Sequence, residues 1–294
     1  MSLLQEYKNG LKSVAVEEVF DLVFYRPLAF ILVKLIYSTS VTPNQLTILS
    51  MFFGLFGGAN YAFGTPLAYG AGGVFYLLYN IVDCSDGQLA RLKHNGTPIG
   101  RVLDGVADYV VSIAAYVGIG IGYAGSSDHP ALLWCLTAAA MISNAIQSGL
   151  LDFYRARYLD ITLDRISILV DEQKAFESEY AALKNQKGHY FERALIWIYL
   201  TYSVLQRRVT AGGGTPRVTA KVDPGAYERE NRALIRWWTF LGPTTQWTLL
   251  IICSFLTRLD IYLWAIAGLG NVMAVVLSAV QRRKDQSMNM RGIQ

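Results

Sequence analysis

Asp83-Cys84-Ser85-Asp86-Gly87-Gln88-Leu89-Ala90-Arg91, followed after eight residues by Gly100-Arg101-Val102-Leu103-Asp104-Gly105-Val106-Ala107-Asp108, is the stretch that decides how this chain reads. The two segments lie where a pair of strongly apolar runs meets a basic loop. In a helix Asp83 and Asp86, three apart, share one face, and Asp104 and Asp108, four apart, share another. An ionised Asp in a membrane helix costs at least a few kcal/mol unless it is paired or hydrated, so such residues mark function. Two acidic faces turned toward each other would form an all-oxygen pocket. That ligand set suits Mg²⁺ or Mn²⁺, and with no Cys or His among the clustered ligands zinc is not expected.

Working outward, apolar residues make up 53% of the 294-residue chain and charged residues only 16%, the charge lying between long apolar runs. That is the composition of a membrane protein. A span needs about 20 apolar residues, and six are expected at 44–64, 67–90, 101–124, 131–154, 240–257 and 259–281. Gly242, Pro243 and Gln246 interrupt the fifth. The N-terminus carries Glu6, Glu17, Glu18 and Asp21 and lacks the apolar core of a cleavable signal, so the spans themselves are expected to direct insertion.

Orientation follows from Lys and Arg. With both termini cytoplasmic, the outer loops 64–66, 125–130 and 257–260 contain only Arg258, as the positive-inside rule requires. The apolar stretch 194–205 cannot cross without placing the arginines after it outside, so it is expected to lie on the membrane surface. The net charge of +4 is accounted for by attraction to anionic lipid, and no basic-aromatic pattern suggests nucleic acid. Cys84, Cys135 and Cys253 read as small packing residues. Trp237, Trp238 and Trp247 read as part of an aromatic belt.

The fold expected is therefore an all-α integral membrane protein. Residues 1–43 form an amphipathic interfacial region, 44–159 the first four spans with the acidic segments, 160–239 a cytoplasmic and interfacial helical insertion, and 240–294 the last two spans and a basic tail. Thr42-Pro43-Asn44 opens the first span as cap and first turn. Gly54 with Gly58, and Gly118 with Gly122, are small-xxx-small pairs that let helices approach closely. The segment 211–216 reads as an exposed link.

Residues 83–108 spell D-x-x-D-G-x-x-A-R, eight residues, then G-x-x-x-D-x-x-x-D. This resembles the signature of the CDP-alcohol phosphotransferase family, also called CDP-alcohol phosphatidyltransferases, with every signature position filled. The resemblance implies that Asp83, Asp86 and Asp104 hold a pair of Mg²⁺ or Mn²⁺ ions against the diphosphate of a CDP-linked donor, and that Asp108 is the general base. Spacing leaves open whether Asp108 also ligates a metal, and it is counted with that set. Gly87 and Ala90 would leave room for the nucleotide along the backbone, Arg91 would offer a fixed charge to a phosphate, and Gly100 would permit tight helix approach.

Val41-Thr42-Pro43-Asn44-Gln45-Leu46-Thr47 is similar to the P-N-x-x-T opening of many family members; Asn44 and Thr47 are nucleotide-binding candidates, or simply a helix start. Arg155 and Arg157, in Phe153-Tyr154-Arg155-Ala156-Arg157, match the R-A-R stretch of members that take a phosphorylated polyol. They are candidates for binding that acceptor, or positive anchors at a span end.

The expected activity is phospholipid synthesis: a phosphatidyl group moves from CDP-diacylglycerol to a polyol or polyol phosphate and CMP is released by direct displacement on two metals. The alternative reverses the donor, so that a CDP-linked choline, ethanolamine or inositol meets a lipid or polyol acceptor. A divalent-cation transporter is the reading from another class, disfavoured because the carboxylates sit at the cytoplasmic ends of spans and no inverted repeat is visible. The expected partners are the CDP donor, the acceptor and membrane lipid. The resemblance also implies a homodimer in an inner membrane of bacterial or archaeal type, with the site facing the cytoplasm.

Overall fold

A computed structural model describes residues 14–125, 127–163 and 223–291, together with Gln5, Tyr7, Ser178, Tyr180, Ala181, Arg193, Ile196 and Trp197. The expected surface segment 194–205, the link 211–216 and most of the insertion lie outside the described residues. Those described are almost entirely helical. A π-turn at Asp21–Tyr25 leads into α1 (Arg26–Ile36), followed by α2 (Pro43–Ala62), α3 (Pro66–Leu92) and α4 (Pro98–Ile119), which runs on as a π-segment to Ala124. Then come α5 (Pro130–Leu163), α6 (Pro224–Trp238) and α7 (Pro243–Phe255). Last, α8 (Leu259–Trp264) passes through a π-segment at Ala265–Gly270 into α9 (Asn271–Arg291).

Threonine-proline pairs start the helices that carry the acidic segments. Thr42, Thr65 and Thr97 are extended, each accepts a hydrogen bond from a backbone N–H of the first turn, and proline fills the first helical position. At Thr42 the cap is reciprocal, because Gln45 Oε1 accepts from the Thr42 N–H at 2.9 Å. The α3–α4 turn puts His94 at φ 51°, the left-handed conformation that ends a helix, and Asn95 N–H donates back to the Ala90 carbonyl at 3.2 Å. Lys93 Nζ ties this turn to the α1–α2 connection by donating to the Thr39 and Val41 carbonyls, both at 3.0 Å.

Among the described residues, three helices are long and apolar enough to cross a membrane: Ile99–Ala124, Pro130–Thr162 and Leu259–Met288. Helices α2 and α3 coincide with the first two expected spans but are diluted by the polar residues of the acidic region, among them Asn44, Asn80, Asp83, Asp86 and Gln88. The fifth expected span meets α7, which has 13 residues because a 3₁₀ turn at Thr239–Leu241 and the Gly242-Pro243 break precede it. At 1.5 Å per residue that is about 20 Å, short of a hydrocarbon core of about 30 Å. Outward faces are apolar, with Leu67, Leu132, Ile142, Trp264, Val272 and Val275 all more than half exposed, as helices surrounded by lipid require.

Inside, α2, α3, α4 and α7 share a core rich in tyrosine. The hydroxyls there are paired: Tyr61 with Ser254 and Tyr116 with Tyr262, both at 2.7 Å. Close approach of α2 and α4 needs glycine at Gly58 and Gly118, since a Cβ on Gly118 would lie 2.1 Å from the Gly58 carbonyl oxygen. Trp238 and Trp247, expected in an aromatic belt, are buried instead. Trp238 stacks on Tyr154 with centroids 4.3 Å apart and Trp247 on Tyr76 at 5.0 Å, and only Trp237 faces outward. The aromatic partners supplied by neighbouring helices decide this, and sequence position alone did not show them.

A ladder of carboxamides joins α5, α7 and α9. Asn144 donates to Gln246 Oε1, Gln246 Nε2 to Gln147 Oε1 at 3.1 Å, Gln147 Nε2 to Asn271 Oδ1 at 2.9 Å, and Asn271 Nδ2 to Ser143 Oγ at 2.8 Å. The N-terminal segment is pinned beneath the bundle by Arg26–Glu17 (2.8 Å), by Arg236 donating to the Glu17 and Val14 carbonyls (both 2.9 Å), and by Glu18, which caps α7.

Candidate active site

Helix α2 packs against both α3 and α4, and the two signature segments, one on each, face each other with their aspartates converging. Asp83, Asp104 and Asp108 present carboxylate oxygens all within 4.8 Å of one another. Asp83 Oδ1 is buried without a hydrogen-bond partner. A buried carboxylate oxygen held against two other carboxylates is costly unless a cation joins them, so this oxygen-only group fits a hard dication. Asp86 stands apart from the three. It is 6% exposed, and its Oδ2 accepts the Thr47 hydroxyl at 2.5 Å.

A small groove adjoins the triad and shares Asp104 with it. Pro43, Asn44, Thr47, Asp86, Gly87 and Ala90 line one side, and Gly96, Thr97, Gly100, Arg101 and Asp104 complete it. Of the residues expected to bind nucleotide, Asn44, Thr47, Asp86, Gly87, Ala90 and Gly100 therefore meet in one place, while Asp83 lies in the triad. Arg91 folds back over Gly87, where an added Cβ would sit 3.4 Å from Nη1. Gly100 lies close under Asn44, since a Cβ there would come 2.7 Å from Asn44 Oδ1 and the Asn44 side chain would have to shift; the absent side chain lets the start of α2 close against the start of α4.

Arg155 and Arg157 lie elsewhere. Arg157 pairs with Asp285 of α9 at 2.8 Å, and Asp285 is 1% exposed. Arg155 Nε donates to the Val16 carbonyl at 3.2 Å and its Nη1 lies 3.4 Å from Asp152. Sequence reading missed the groove-lining Thr97 and Arg101, and it missed Tyr79, whose hydroxyl donates to Asp108 Oδ1 at 2.6 Å. A signal for Tyr79 existed: it is one turn before Asp83 on the same helix face.

Fold and site together define a helical membrane protein with an acidic cluster able to hold a dication beside a small groove. Residues 40–171 match the family model described as CDP-alcohol phosphatidyltransferase. The chain is also similar to the "Bifunctional IPC transferase and DIPP synthase" of Thermococcus kodakarensis, with 34% identity over 71 residues, and to that of Aquifex aeolicus, with 37% over 73. These matches cover 24% and 25% of this chain and 16% of each relative's length.

Proposed function

We propose that the protein is a membrane-embedded CDP-alcohol phosphotransferase of phospholipid synthesis, moving a phosphatidyl group from CDP-diacylglycerol to the hydroxyl of a polyol or polyol phosphate and releasing CMP. The observation that carries this is the convergence of Asp83, Asp104 and Asp108 beside a groove built from Asn44, Thr47, Gly87 and Gly100. The relatives' printed names, a transferase joined to a synthase, support the same chemistry.

Asp83, Asp86, Asp104 and Asp108 would hold two Mg²⁺ or Mn²⁺ ions, which when bound neutralise diphosphate charge and stabilise the departing phosphate. The chain's own groups do the rest. Gly87, Ala90 and Gly100 keep side-chain bulk small where the cytidine diphosphate would lie, Asn44 and Thr47 border it, and Arg91 sets a charge over Gly87 for a phosphate. Asp108, exposed at the edge of the triad, takes the proton of the acceptor hydroxyl. The acceptor oxygen bonds to the phosphorus distal to cytidine as the bond from that phosphorus to the bridging oxygen breaks, and CMP leaves.

The concentration of Lys and Arg outside the 64–66, 125–130 and 257–260 loops supports a site opening to the cytoplasm of a bacterial or archaeal inner membrane, and a homodimer is the expected assembly. A second reading has a specific observation behind it. Because Arg157 is committed to Asp285, an acceptor without phosphate, meeting a CDP-linked choline, ethanolamine or inositol, is accommodated as well.

The test is CMP release by purified protein in nanodiscs supplied with Mg²⁺ or Mn²⁺ and either CDP-diacylglycerol with glycerol phosphate or inositol phosphate, or a CDP-linked alcohol with diacylglycerol. The reading expects CMP from the first pair, and Asp108→Asn should lower kcat by about 10²- to 10⁴-fold while nucleotide binding persists. No CMP from any cytidine diphosphate ester would overturn it.

A further inference from the structure

Tyr79 stands one turn before Asp83 on α3, 2% exposed, with its hydroxyl 2.6 Å from Asp108 Oδ1. A phenol at its ordinary protonation donates and a carboxylate accepts, so Tyr79 holds one oxygen of the proposed base. A carboxyl group is planar and rigid. Fixing one oxygen therefore fixes the direction of the other, and an aspartate that is exposed at the edge of its cluster is restricted in the rotamers it can adopt.

The hold on Tyr79 is itself built. Its ring meets Tyr76 edge-on at 6.2 Å and 83°, and Trp247 edge-on at 5.7 Å and 83°. Tyr76 and Trp247 stack on each other at 5.0 Å and 14°, and Tyr61 stacks on the far side of this group at 5.4 Å from Tyr76. Such aromatic pairs lock the ring plane. Trp247 belongs to α7, outside the 40–171 stretch that carries the family likeness. The C-terminal part of the chain thus reaches the acidic cluster through one tryptophan and one tyrosine.

We propose that Tyr79 is a positioning residue: it orients Asp108 for proton transfer from the acceptor and for its share of cation binding, and Trp247 keeps it in register. The transfer half of this rests on the phosphotransferase reading above; the cation half does not. A tyrosine that had merely found the nearest acceptor would contribute to folding and leave turnover of folded protein unchanged. A group that orients a ligand from behind typically accounts for about 10- to 100-fold in metal affinity or activity.

The experiment compares wild type, Tyr79→Phe, Trp247→Leu and the double variant in nanodiscs. One readout is Mn²⁺ binding, followed by the electron paramagnetic resonance of free Mn²⁺ with no cytidine compound present. The other is kcat and KM for CMP release, normalised to folded protein. Tyr79→Phe, which keeps the ring and its packing, should weaken Mn²⁺ binding severalfold and lower kcat about 10- to 100-fold, with KM for the CDP donor within about twofold of wild type. Trp247→Leu should lower kcat less, and in the Tyr79→Phe background it should lower kcat no further, because both act through Asp108. Wild-type Mn²⁺ affinity and kcat in Tyr79→Phe would overturn the proposal, as would kcat losses that multiply in the double variant. If the wild type forms no CMP, the phosphotransferase reading has failed and the Mn²⁺ comparison alone decides Tyr79's role in cation binding.

Discussion

Thr47 and Asp86 show how two residues of different segments come to act as one group. The hydroxyl at 2.5 Å from Asp86 Oδ2 joins the start of α2 to the signature helix, so Asp86 is steadied toward the groove while the other three aspartates converge. A hydrogen bond to a charged group contributes about 1.5–3 kcal/mol. Thr47→Val, which keeps the shape and removes the hydroxyl, should reduce kcat/KM for the CDP donor by about one to two orders of magnitude, read in steady-state CMP release. Gly100→Ala places a methyl against Asn44 Oδ1 and should raise KM for the donor severalfold with a smaller effect on kcat. The aspartates were legible in the sequence because helical spacing and their rarity in apolar runs announce them, and Asn44, Thr47 and Gly100 became candidates through the resemblance to the family signature. Thr97, Arg101 and Tyr79 were not singled out. Their roles depend on which residue of α3 faces which residue of α4, and that register is set by packing.

At the level of helices, the close contact of α2 with α4 was readable from paired glycines, and the structure sets Gly58 directly against Gly118. Gly118→Ala pushes a methyl into a backbone carbonyl that cannot swing aside, and overpacking of this kind costs about 1–3 kcal/mol. The loss should appear as a lower midpoint in thermal unfolding in detergent. The capping of α7 was not readable, because its partner is 227 residues away: Glu18 accepts from Thr245 N at 2.8 Å and Thr245 Oγ1 at 2.9 Å. Burial first, with repulsion from Asp21 adding to it and Arg155 and Thr245 opposing, lifts the Glu18 carboxyl from its ordinary value of 4.5 to about 8. Between those values the folded protein binds a proton that the unfolded chain has lost, so stability is greatest below about 4.5 and falls as pH rises through about 8. Glu18→Gln should flatten that slope in unfolding midpoints measured across this range.

For the molecule as a whole, six apolar runs were read as spans, and among the described residues three helices are apolar and long enough to cross a membrane. Helices α2 and α3 fall outside that set because polar residues such as Asn44, Asn80, Asp83, Asp86 and Gln88 dilute them. Reporter fusions after residue 291 should read cytoplasmic and those in the 257–260 loop external; the opposite result would invert the proposed orientation. Chelation of purified protein should abolish CMP release, with Mg²⁺ or Mn²⁺ restoring it and helical circular dichroism unchanged throughout, since the helices pack through tyrosines and glycines and do not need the cations to form.

The carboxamide ladder has a bearing on where this protein can be cut. Asn144 and Gln147, inside the 40–171 stretch, satisfy their amides on Gln246 and Asn271, beyond it. A shortened chain ending after α5 would turn those amides toward acyl tails that offer nothing in return. The 40–171 stretch is therefore no free-standing module. It is one side of a zipper whose other teeth, Gln246 and Asn271, come from the last two apolar runs.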